Sequence, residues 1–181
     1  MNQSDLQLET FFSTISEAHP DPSRIIFVCI GTDRSTGDAF GPFVGTMLVD
    51  RGWKVIGTLE KPCDAYAVDA TVRDINRLQE DEALTVIAID ACLGKSKSVG
   101  SFITKNGPLQ PGAATGRRLP FIGDYSIAGI VNIEGPKAYW MLQTTSLHQV
   151  MGMANHVVTA VNNAWSGKEE YPKPIHQLEV K

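Results

Sequence analysis

The segment Arg24 to Ile30, RIIFVCI, is a near-continuous apolar run rich in β-branched residues. A strand with one wet face alternates apolar and polar side chains. A run that is apolar almost throughout has to be covered on both faces, which is the condition of a parallel strand within an α/β sheet. Leu84 to Ile89, LTVIAI, repeats the signature. Between and after these runs lie segments of helical period, so the chain alternates strand and helix. Right-handed crossovers then dictate a mostly parallel sheet with helices on both faces, a three-layer α/β/α architecture.

The remaining elements follow from period and punctuation. Ser4 to Ala18 reads as an amphipathic helix with Ser4 and Gln7 spaced as a capping box, stopped by His19-Pro20-Asp21-Pro22. Phe40 to Asp50 is a helix closed by Gly52, and Lys54 to Thr58 a short second strand. Asp69 or Thr71 caps a helix that runs to Gln79. Val99 to Thr104 and Tyr125 to Ile133 are the fourth and fifth strands. The Gly- and Pro-containing stretch from Asn106 to Pro120 is a loop. The longest helix spans Ser146 to Trp165, with Ser146 and Gln149 as a second capping box. One α/β domain over 1–165 is expected, followed by a polar tail over 166–181.

Composition removes several classes of function. The chain has 181 residues and a formal net charge of -4 with no block of Lys or Arg, which argues against nucleic acid. No apolar run approaches the roughly 20 residues that span a bilayer, and the first ten residues lack the basic start and apolar block of a signal peptide. Three cysteines, Cys29, Cys63 and Cys92, lie far apart without a CxxC spacing, the pattern of a reduced compartment. A cytoplasmic protein is expected.

Strand order then places two acidic residues. If the third strand lies beside the first, opposite the second, connections reverse direction between strands one and three, and ligands of open sheets bind at the carboxyl ends of such strands. Asp38 sits in the loop leaving strand one and Asp90 ends strand three. Two carboxylates in one dry crevice resist ionising together, so one activates a water while the other carries a proton. Asp90, the more buried, is expected as the base and Asp38 as its proton partner. His148, in the first turn of the last helix, is the third candidate; Asp38, Asp90 and His148 are also the donors for a divalent metal. The plain alternatives are that Asp38 caps the Phe40 helix, that Asp33 is a turn residue and that His148 packs at a helix start. The loop GTDRSTGDAFG lacks the G-x-G-x-x-G spacing of a dinucleotide site. No cofactor is expected beyond the alternative of a metal.

Two motifs carry a resemblance. GTDRSTGDAFGPFVG followed by IAIDACLG resembles the germination protease of bacterial spores, an atypical aspartic peptidase, and the match puts its two functional aspartates on Asp38 and Asp90. TTSLHQVMGMA resembles the histidine segment of hydrogenase maturation proteases, which would place a metal-binding set on Asp38, Asp90 and His148. Over most of Arg24 to Trp165 the chain resembles the YyaC-type sporulation protein family. The resemblance implies a phosphorylase/hydrolase-like fold of the peptidase type. It also implies an intracellular peptidase of sporulating bacteria, in the cytoplasm or forespore, that cuts a peptide or small protein with an Asp dyad. Its alternatives are a metal-dependent maturation-type endopeptidase and a catalytically inactive peptide-binding or adaptor protein of the same fold.

Overall fold

The computed structural model describes residues 3–112 and 118–167. The five strands are β1 (Ile25–Cys29), β2 (Lys54–Ile56), β3 (Thr85–Gly94), β4 (Phe102–Asn106) and β5 (Tyr125–Ile133). They form one sheet in the order β2-β1-β3-β5-β4. β1 pairs in parallel with β2 and β3, and β3 in parallel with β5; only the edge strand β4 is antiparallel. The expected placement of the third strand beside the first holds, and with it the switch point between them.

The helices are α1 (Gln3–Ala18), α2 (Phe40–Val49), α3 (Val68–Asp81), α4 (Ala138–Gln143) and α5 (Leu147–Trp165). Odd-numbered β1 residues Ile25, Phe27 and Cys29 join a core built with α1, α2, α4 and α5, whereas Ile26 and Val28 join a second core with Val68 and Ile75 of α3. Burial on both sides explains why β1 shows no polar alternation. The larger core closes around Trp165, which stands edge-on to Phe12 and Trp53 and whose indole N–H donates to the His19 carbonyl at 3.1 Å.

Several local readings change. Ser4 and Gln7 do not form a capping box; the Ser4 hydroxyl accepts from the Phe102 N–H at 3.3 Å and the Gln7 amide donates to Thr104 Oγ1 at 3.3 Å, fastening α1 to the edge strand. At α3 the cap is neither Asp69 nor Thr71. Asp64 Oδ1 accepts from the N–H groups of Tyr66 and Ala67, one turn earlier than the period suggested. The second box is half formed. Ser146 Oγ accepts from the Gln149 N–H at 3.4 Å, but the Gln149 side chain donates to the Val131 carbonyl at 2.8 Å instead of returning to the cap. Ser146→Ala is expected to cost about 0.5–1 kcal/mol and to lower Tm by about 2–3 °C in a thermal melt.

β4 starts at Phe102, after a 3₁₀ turn at Ser96–Ser98, and the helix α4 has no counterpart in the sequence reading. The loop between β4 and β5 enters β5 at its amino end. Its described parts are tied down by the Leu109–Ile122 bridge and by the Ser126 hydroxyl donating to the Gly107 carbonyl at 2.8 Å. That is the end of the sheet opposite Asp90. Residues 113–117 and 168–181, which include Arg117 and all but two residues of the expected polar tail, lie outside the described residues.

Candidate active site

β1 stops where glycine permits a sharp departure. Ile30 still donates to the Ile89 carbonyl at 2.7 Å, then Gly31 turns with φ at 145° and donates to the Cys63 carbonyl at 3.0 Å. A Cβ at Gly31 would collide with the Asp38 carbonyl, so only glycine lets the loop close back on the strand end. The Thr32 N–H donates to that same carbonyl at 3.2 Å. Gly41, in the first turn of α2, lies so close that a Cβ would strike the Ile30 carbonyl. The loop of residues 31–38 is therefore a tight flap of backbone pinned at both ends to the exit of β1. Its other contact is the Gly37 N–H donating to the Leu142 carbonyl of α4 at 2.9 Å. Asp33 is exposed within it, as a turn residue would be.

Asp90 follows Ile89 on the neighbouring strand, on the same face as Val86 and Ala88. Its Oδ1 accepts from the Ala91 N–H at 2.8 Å. Burial drives its pKa up to about 8; the Ala91 bond pulls it down, and the charge on Asp38 adds to the rise. Burial also raises Asp38, partly offset by the Ser35 hydroxyl. The hydroxyl is buried without a hydrogen-bond partner of proper geometry, so its influence on Asp38 is that of a nearby dipole and not of a formed bond. Asp38 does not cap α2: the cap residue is Ala39 and no side chain bonds to that helix start. The helix-cap alternative is thereby removed.

Two thiols share the neighbourhood. Burial raises Cys63, and the Asp90 charge adds to it; burial and the same charge push Cys92 up to about 11. Cys63 comes from the β2–α3 connection and bridges Ile30. Both thiols stay protonated near neutral pH, so neither is a nucleophile there. No sequence signal marks Cys63 for this place, because the bridge that brings it in is purely tertiary. Cys29, on the other face of β1, is fully buried core.

His148 is not part of this group. It is exposed on the first turn of α5, and no hydrogen bond or ion pair joins it to Asp38 or Asp90. Among the described residues no three His, Cys, Asp or Glu side chains are gathered as a metal-binding set. His156 pairs with Asp5 at 3.0 Å, linking α5 to α1. Asn132 holds α4 through its bonds to the Met141 carbonyl at 2.8 Å and Thr145 Oγ1 at 3.2 Å.

Asp90 does not end its strand as expected, since β3 runs on to Gly94, but it stands just past the last residue that pairs with β1; with Asp38 in the loop leaving β1, both acidic residues lie at the topological switch point of a mostly parallel α/β sheet. The fold is shared with a [NiFe] hydrogenase maturation protease, HycI from Thermococcus kodakarensis, at a TM-score of 0.50 and 18% identity, covering 83% of this chain and 99% of that one. HybD of the same organism, also a [NiFe] hydrogenase maturation protease, aligns at 0.45 and 14% over 78% of this chain and 99% of its own. The chain belongs to the DUF1256 family, described as proteins of unknown function, which matches residues 1–160. It is 46% identical over 178 residues to YyaC of Bacillus subtilis (strain 168), described as uncharacterised, covering 95% of this chain and 85% of that protein. Among the described residues no helix is long and apolar enough to cross a membrane.

Proposed function

We propose that this protein is a peptidase-type hydrolase that cleaves a peptide or protein with Asp38 and Asp90, in the sporulation setting that the family resemblance implies. The observation that carries the reading is that both residues lie at the β1–β3 switch point: Asp38 in the loop that closes back on the end of β1, its carbonyl accepting from Thr32, and Asp90 next to Ile89, whose carbonyl receives the Ile30 N–H. Their order of ionisation assigns the roles. Burial raises both, Asp90 to about 8, and a charge on Asp38 adds to the rise at Asp90. Near neutral pH Asp38 is then the ionised base that takes a proton from water, and Asp90 is the acid that protonates the departing amine. This reverses the roles expected from burial alone: the more desolvated carboxyl is the one that keeps its proton. Atoms balance without a cofactor: water adds across the C–N bond, its proton passing to Asp38 and that of Asp90 to nitrogen.

The test is digestion of a reduced, alkylated and unfolded protein by the purified chain, scored by new amino termini in mass spectrometry. Cleavage that persists undiminished in a protein carrying both Asp38→Asn and Asp90→Asn would overturn the assignment. Binding of polypeptide without turnover would move the chain to the adaptor reading.

A further inference from the structure

β3 extends beyond its neighbour on one side only. Its pairing with β1 stops at Ile89, while its pairing with β5 continues through Gly94. In a parallel ladder the N–H and C=O of one residue point to the same neighbour and successive residues alternate. The Ile89 carbonyl accepts from Ile30 of β1, and the Gly94 carbonyl accepts from the Glu134 N–H on the β5 side at 2.8 Å. Ala91 and Leu93 therefore turn their backbone groups to the lane that β1 has left. No backbone group of the described residues bonds to either from that side. Asp90 to Gly94 are all half-buried, not sealed in the core. The register shift between Cys92 and Leu93 leaves Val131 of β5 as the extra residue, so the bulge lies on the β5 side and not in this lane.

One of these groups is occupied by a stopgap. The Ala91 N–H donates to the carboxyl of its own neighbour, Asp90. An unpaired strand edge is a template for another chain, and this one prolongs the β1–β3 interface already present.

We infer that the lane beside Ala91–Leu93 receives an extended segment of the substrate polypeptide as an added strand. A carbonyl of that segment takes over the Ala91 N–H and frees the Asp90 carboxyl to face the scissile bond. Backbone pairing of this kind selects unfolded or tail-like polypeptide and excludes folded domains and small amides. The identity of the occupant as substrate rests on the hydrolase reading; the pairing itself does not.

The probe is a library of ten-residue peptides randomised at every position, passed over immobilised protein carrying Asp38→Asn to slow turnover. Retained peptides are resynthesised with a single N-methyl group at each backbone nitrogen in turn. Strand pairing predicts alternation: methylation weakens binding at least tenfold at every second position and less than twofold between them. Exchange of the Leu93 amide is expected to slow at least tenfold in the complex. Uniform tolerance of N-methylation, unchanged Leu93 exchange, or retention of no peptide overturns the inference. Incubating the retained peptides with the unsubstituted protein separates the two proposals. Alternation without cleavage keeps the strand and removes the hydrolase; cleavage without alternation does the reverse.

Discussion

Asp38→Asn is expected to lower turnover of an unfolded protein substrate by about 10²–10⁴-fold, the usual worth of a positioned general base, with the circular dichroism spectrum unchanged. Asparagine keeps the size of the side chain and leaves the Asp38 carbonyl free to accept from Thr32, so the loop of residues 31–38 retains its anchors. What is lost is the charge. In the unsubstituted protein the rate should rise with pH as Asp38 ionises, somewhat above the usual carboxylate range because burial raises it. It should fall again as Asp90 loses its proton near its value of about 8. Asp90→Asn removes the falling limb and, by deleting the proton donor, most of the rate. Each limb reports the pair and not one residue, because two coupled groups titrate together. A profile with no alkaline limb up to pH 9 would remove Asp90 as the acid.

How much of this was legible follows from which forces act locally. Apolar runs without alternation identified β1 and β3 as central strands, because burial on both faces leaves a trace in every residue. Strand order came from connection rules, and with it the switch point between β1 and β3. His148 was misread for the opposite reason. A sequence places it at a helix start but does not fix the side it faces, and α5 turns it to solvent while directing Gln149 to the Val131 carbonyl. The helix α4 was missed because its anchors, Asn132 on Met141 and Gly37 on Leu142, are all made to other segments. Cys63 escaped notice likewise. The direction of proton traffic was invisible too, since it depends on which carboxyl loses more water, a property of the packed crevice.

That loss of water gives the other large effect, on stability. Asp90→Asn is expected to make the fold markedly more stable at pH 8 while changing little at pH 4. The sign follows from proton counting. A carboxyl held at about 8 in the folded chain and near ~3.9 in the unfolded chain keeps its proton when folded across that window and releases it on unfolding. The folded state binds more protons there, so stability falls as pH rises from about 4 to about 8. Asparagine has no proton to lose and stays flat. At ~1.4 kcal/mol per pH unit the ceiling is about 6 kcal/mol. Asp90 retains some accessible surface, and water reaching it brings the expected difference at pH 8 to about 2–3 kcal/mol. The Ala91 N–H keeps an acceptor, because the Asn carbonyl can replace Oδ1, so the comparison isolates the charge. Urea titrations of both proteins between pH 4 and pH 8 measure it, and any ionisation of unfolded cysteines at ~8.5 is common to both and cancels. Parallel curves for the two proteins would mean that Asp90 ionises freely. The crevice would then lack the desolvation on which both its acid role and its catalytic use depend.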